Sequence, residues 1–187
     1  MAQLIKAAGK IALRPPNEDH FAALVRSIMY QQLAGRAALA IHTRFLDLFA
    51  DGLSADAVLA LPAGAMRSVG VSGAKQAAIT DLALKVTDGT VPLHDSDSIS
   101  DDELVARLVQ VRGIGRWTAE MFLMFQLRRP DVWPVDDYGV RKGWALAHRL
   151  KAPLTPRALQ AEGEKFRPYR SVAAWYCWRA VDTVLPL

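Results

Sequence analysis

Apolar residues recur along this chain at three- and four-residue intervals almost from end to end. Phe21, Leu24, Val25, Ile28 and Met29 fall at i, i+3, i+4, i+7 and i+8, the stripe of an amphipathic helix. Asn17 is the expected cap of that helix, with Glu18 and Asp19 in its first turn, where anionic side chains complement the helix dipole. A second helix is expected over 36–49, with Leu39, Phe45, Leu46 and Phe49 turned inward and Asp51-Gly52 ending it. Short helices are expected at 54–60 and 63–69 around Pro62, and a longer one from a Ser72 cap to about residue 86. After the Asp88-Gly89 turn signal comes the longest loop, 89–99. Further helices are expected at 102–110, capped by Ser100 or Asp101, and then at about 115–127, 137–149, 155–166 and 169–182. Thr155-Pro156 is a cap-then-proline start. No alternating strand series, low-complexity segment or tandem repeat interrupts this pattern, so the class is all-α.

Composition narrows the picture. The 187 residues suit one unit that buries its own core. A lone cysteine, Cys177, excludes an internal disulfide framework and any CxxC zinc or iron–sulfur site, and points to a reducing compartment. No apolar run approaches the ~20 residues of a membrane helix, and residues 1–10 lack a signal-peptide pattern. A soluble, cytosolic protein with no membrane partner is the expectation. The net charge of +4 is unevenly spread: residues 1–139 carry 14 basic and 16 acidic side chains, and residues 140–187 carry 9 and 3. Such a basic stretch is either a polyanion-binding face or a solvated helical surface.

Two segments carry candidate chemistry. In Val111-Arg112-Gly113-Ile114-Gly115, between two expected helices, the glycines permit a tight reversal. The amides opening the following helix present unpaired N–H groups suited to a phosphate, with Arg112 and Arg116 beside them. A bare GxG between helices is more commonly a simple helix C-cap. In Trp133-Pro-Val-Asp-Asp-Tyr-Gly-Val-Arg-Lys142, Asp136 and Asp137 stand at a helix start. On their own they read as an N-cap plus a first-turn acid, worth about 1 kcal/mol. The four histidines, 20, 42, 94 and 148, show no ligand spacing.

The extended string GIGRWTAEMFLMF resembles the helix-hairpin-helix of the HhH-GPD superfamily of DNA glycosylases, and PVDDYGVRK, some 20 residues on, resembles the catalytic loop of its 3-methyladenine DNA glycosylase II (AlkA) type. The likeness extends over about residues 15–182, with the hairpin at about 102–127 and the catalytic loop at about 133–139. It implies a two-lobed helical glycosylase core, residues 1–187 as a single unit, in the compact form without the β-rich N-terminal domain of the AlkA type. DNA would cross the cleft between the lobes. Asp137 matches the catalytic aspartate, leaving Asp136 as cap or supporting residue.

The resemblance further implies backbone binding by Arg112, Gly113, Gly115, Arg116 and Thr118, with a Na⁺ or K⁺ ion on the carbonyls of Val109, Val111 and Ile114. The segment RSIMYQQLAGRAA matches the family's duplex wedge, at Gln32 with Gln31 and Leu33 beside it. Trp117, Tyr138 and Trp175 match aromatic base-pocket positions, in preference to Trp133, Trp144 and Trp178; Met121 stands where the family carries an aromatic. Lyase members place a Schiff-base lysine at the position of Trp117. Its absence implies a monofunctional enzyme that excises alkylated bases such as 3-methyladenine from double-stranded DNA. The single cysteine implies that no iron–sulfur cluster is carried. Two other readings stay open: a non-catalytic DNA-binding module, and a glycosylase for deaminated, oxidised or mismatched bases.

Overall fold

The computed structural model describes residues 2–13 and 15–182, and among them every regular element is helical. Two compact units emerge: Pro16–Phe122, and a second made from the described residues on either side of that span.

The first unit holds α2 (His20–Tyr30), α3 (Gly35–Leu46), α4 (Ala55–Leu59), α5 (Ala65–Ser68), α6 (Gly73–Thr87), α7 (Asp101–Leu108) and α8 (Arg116–Met121), with α1 (Ala2–Ala8) preceding them in the chain and belonging to the other unit. The stripe of α2 is buried as its spacing predicts, together with Ile79 and Leu82 of α6 and Leu104 and Leu108 of α7. Its cap is Asp19, not Asn17: the Asp19 carboxylate accepts the Ala22 N–H at 2.8 Å, and the helix opens at His20. α3 buries Ala38, His42 and Phe45, while Leu39 and Leu46, expected inward, are exposed. With Phe45 fixed inward, the i−3 and i−7 positions share its face, and Leu39 and Leu46 fall outside it. Ser100 caps α7 by accepting from Glu103 N–H at 3.3 Å. Ser72 stands at the N-cap of α6 without a capping side-chain bond.

The second unit holds α1, α9 (Tyr138–Ala147), α10 (Pro156–Gly163) and α11 (Arg170–Asp182), where Thr155 caps α10 as expected. Its centre is the α9–α11 pair. A Cβ on Gly143 would lie 1.7 Å from the Cys177 carbonyl oxygen, so these backbones touch where only glycine fits. Leu4 of α1, absent from the expected helices, packs with Tyr176 and Ala180 of α11, and Tyr176 donates to the Gly9 carbonyl at 2.9 Å. Between α8 and α9 the chain makes one π-helical turn, Phe122–Gln126, inside the span expected as a plain helix. No helix of the described residues is long and apolar enough to cross a membrane.

Candidate functional site

In the first unit the hairpin between α7 and α8 is anchored by buried Val111 and Ile114, and the Ile114 N–H donates to the Val111 carbonyl at 3.0 Å. Gly113 takes φ +79°, the left-handed region that favours glycine. Gly115, the extended N-cap of α8, has no side chain to spend on the first-turn amides. Of the two arginines, Arg112 fixes the hairpin through its backbone, donating to Asp81 Oδ2 at 2.7 Å. The exposed Arg116 side chain leans on Glu120, Nε to Oε1 at 2.9 Å, a carboxylate that is otherwise buried. Among the described residues no His, Cys, Asp and Glu cluster could hold a metal ion. The Val111 carbonyl accepts the Ile114 N–H and keeps a second lone pair.

Beside the hairpin lies a cavity of about 620 Å³. Gly113, Trp117, Thr118 and Met121 form one wall; Gln31 and Gln32 form another. Six positions singled out in the sequence therefore meet around one space. Arg26, Ser27 and Tyr30 complete the lining. They were not anticipated, although they lie at i, i+1 and i+4 on α2, off the apolar stripe. Trp117 is half exposed. The two glutamines have different jobs. Gln31 is committed, its Nε2 donating to the Gly113 carbonyl at 2.9 Å. Gln32 is exposed at φ +56°, and Leu33 after it is exposed as well.

In the second unit Asp137 is itself the N-cap of α9. Its Oδ1 accepts the Val140 N–H at 2.7 Å and the Trp178 indole N–H at 2.9 Å. The capping role expected of Asp136 therefore belongs to Asp137, and Asp136 is exposed. Tyr138, the first residue of α9, is 64% exposed. Trp178, not Trp175, is the indole at the acid; its ring lies 5.7 Å from that of Phe125. Trp175 instead packs on the Leu4–Tyr176–Ala180 cluster, with the Arg179 guanidinium 5.5 Å over its ring. The approach of Trp178 depends on Gly139, where a Cβ would stand 2.8 Å from Trp178 Cδ1 and 3.0 Å from Asp137 Oδ1. Burial pushes the Cys177 thiol up to about 12, so it offers no thiolate nucleophile.

One unit thus presents an aromatic-walled cavity beside a glycine hairpin that opens a helix, and the other a carboxyl held by an amide and an indole. Residues 25–168 match the family model of the HhH-GPD superfamily base excision DNA repair protein. The chain belongs to the HhH-GPD superfamily. It is 34% identical over 165 residues to DNA-3-methyladenine glycosylase 1 of Schizosaccharomyces pombe, a match spanning 87% of this chain and 72% of that protein. The crystal structure of a DNA-3-methyladenine glycosidase from Bacillus halodurans superposes with a TM-score of 0.90 at 33% identity, covering 97% of this chain and 84% of the other. The S. pombe 3-methyladenine DNA glycosylase in complex with abasic DNA gives a TM-score of 0.80 at 31% identity, covering 100% and 93%.

Proposed function

We propose that this HhH-GPD protein is a monofunctional DNA glycosylase that excises alkylated bases, 3-methyladenine and related purines, from double-stranded DNA. The names of the relatives support the substrate class, and the chemistry rests on one observation: Asp137 is held by the Val140 amide and the Trp178 indole at the start of α9. As the base departs, positive charge develops on the sugar. A fixed carboxylate stabilises that charge and orients the attacking water. An alkylated purine already carries positive charge, so it leaves without strong acid assistance. Trp117, Met121 and Tyr30 would receive the extruded base, since flipped bases are held between aromatic and apolar side chains. Gln32 would fill the gap left in the duplex. The hairpin from Arg112 to Thr118 would hold a phosphate, with Na⁺ or K⁺ on the carbonyls of Val109, Val111 and Ile114. None of the described residues lining the cavity is a lysine, which favours attack by water over a Schiff base. Action as a monomer in the cytoplasm belongs to the same proposal.

The test is a lesion panel of 3-methyladenine, 7-methylguanine, 1-methyladenine, ethenoadenine, hypoxanthine and uracil, assayed with wild type and Asp137→Asn. Asparagine caps a helix about as well as aspartate, so the variant keeps fold and DNA binding. Base release is expected to fall by about 10²–10³-fold. Undiminished release by the variant would overturn the mechanism, and a borohydride-trapped adduct would overturn the monofunctional assignment. A wild type that binds DNA and releases none of these bases would instead be a plain DNA grip.

A further inference from the structure

Two charged side chains of α6 are spent on the backbone of the turns that face the cavity. Lys75, in the first turn of α6, sends its ammonium to the carbonyls of Met29, at 2.5 Å, and Gln31, at 3.0 Å. These oxygens sit at the end of α2, where a helix leaves its last carbonyls without intrahelical partners. Asp81, six positions later, accepts the Arg112 N–H of the hairpin at 2.7 Å and is paired with Lys85 at 2.5 Å. The Gln31 side chain then joins the two turns through the Gly113 carbonyl. Between these fixed points stands Gln32 at φ +56°. A non-glycine residue is strained in the left-handed region, and such a conformation persists only where its surroundings over-determine it. Burial lowers the pKa of Lys75. A partly dehydrated ammonium is a costly helix cap where an uncharged donor would serve as well.

We propose that Lys75 is a positioning residue for base extrusion: it locks the turn after α2 so that Gln32 is presented to the duplex in its left-handed conformation, while Asp81 fixes the hairpin to the same helix. The inference rests on the glycosylase reading of Gln32 as the wedge. In this role Lys75 acts through Gln32, by way of the Met29 and Gln31 carbonyls, and not on the reacting atoms.

The experiment is a double-mutant cycle of Lys75→Met and Gln32→Ala, which asks whether two residues act as one unit. Two readouts are taken. One is single-turnover release from a 3-methyladenine duplex. The other needs no chemistry: the fluorescence of 2-aminopurine placed beside a tetrahydrofuran abasic-site analogue, which rises when the stack is opened. Lys75→Met is expected to lower release about 10- to 100-fold and to reduce the fluorescence rise, with affinity for undamaged duplex unchanged. In the Gln32→Ala background the same change is expected to add nothing. Additive losses, or an equal loss of affinity for undamaged duplex, would show a general structural role and overturn the proposal. Should Lys75→Met not fold, Lys75→Ala, which likewise removes the donor to both carbonyls, is run through the same cycle with the same expectations. A wild type that releases no base yet opens the stack removes the glycosylase reading and leaves the Lys75 test intact on fluorescence. A wild type that does neither overturns both.

Discussion

Asp137 does two jobs with one side chain, and the two can be separated by substitution. Its Oδ1 holds the first turn of α9 and receives the Trp178 indole. Alanine would remove cap, indole partner and carboxylate together, whereas asparagine removes only the charge. The indole is the more informative handle. Trp178→Phe keeps most of the ring contact with Phe125 and deletes one hydrogen bond to the acid. Release is expected to fall about tenfold, the equivalent of ~1.4 kcal/mol, at unchanged affinity for undamaged duplex. Gly139→Ala should give the same loss by a different route, since the new methyl would displace the Trp178 ring. Single-turnover rates and duplex binding of the two variants check this, and equal rates in wild type and Trp178→Phe would show that the indole does not position the acid. A carboxylate at a helix start was legible in PVDDYGVRK, but which aspartate caps was not, because the two are neighbours in the chain and α9 opens only at Tyr138. The preference for Trp175 over Trp178 rests on the family resemblance alone. Positions three apart on a helix share a side, so periodicity does not choose between them. Only the packing of Tyr176 and Leu4 around Trp175 does so.

At the level of elements, α9 and α11 carry the two partners of that bond, so their packing distance sets its geometry. The distance is fixed by Gly143 against the Cys177 carbonyl. Gly143→Ala forces backbone apart from backbone, a strain no rotamer can relieve, and should cost at least the upper end of ~1–3 kcal/mol. Thermal unfolding is expected to show a clear drop in midpoint, with base release falling further than the folded fraction because Trp178 recedes from Asp137. Loss of activity in step with the folded fraction alone would separate helix packing from site geometry. Most helices were readable from apolar spacing and caps, including α7, α10 and α11. What escaped follows physical causes. α1 has seven residues and is held by tertiary contacts of Leu4 rather than by propensity. The π-helical turn after α8 keeps the apolar composition of a helix and changes only its hydrogen-bond register. The approach of Arg26, Ser27 and Tyr30 to Trp117 is a long-range encounter that no local pattern encodes.

For the molecule as a whole, the basic stretch after residue 139 looked like a face for a polyanion, yet part of it is spent inside the protein. Arg167 and Arg170 both converge on Asp131, Nη1 to Oδ2 at 2.8 Å and Nε to Oδ1 at 2.7 Å, and Arg170 is nearly buried. Arg141 donates to the Leu154 carbonyl, and Lys165 and Arg179 pair with Glu162 and Asp182. Counting charges along the sequence therefore overstated the cationic surface, because it does not show which arginines find carboxylates. The Asp131 cluster carries a pH dependence whose sign is fixed. Burial alone would push the Asp131 carboxyl up, but the hydrogen bonds from Arg170 and the charges of Arg170 and Arg167 outweigh it and hold the carboxyl below its ordinary value. A folded pKa below the unfolded one means stability that is present above the unfolded value, about 3.9, and lost as the pH falls through the folded value. Asp131→Asn removes that contribution at every pH and leaves Arg170 nearly buried beside a neutral partner. At pH 7 it should cost about 3 kcal/mol, the low end for a broken buried pair because Asp131 keeps some solvent contact. Urea unfolding from pH 7 to pH 3 should show the gap between wild type and variant narrowing only below about pH 4. A gap that stays constant to pH 3 would mean that Asp131 titrates alike in the folded and unfolded chain and that its ion pairs do not hold this unit together.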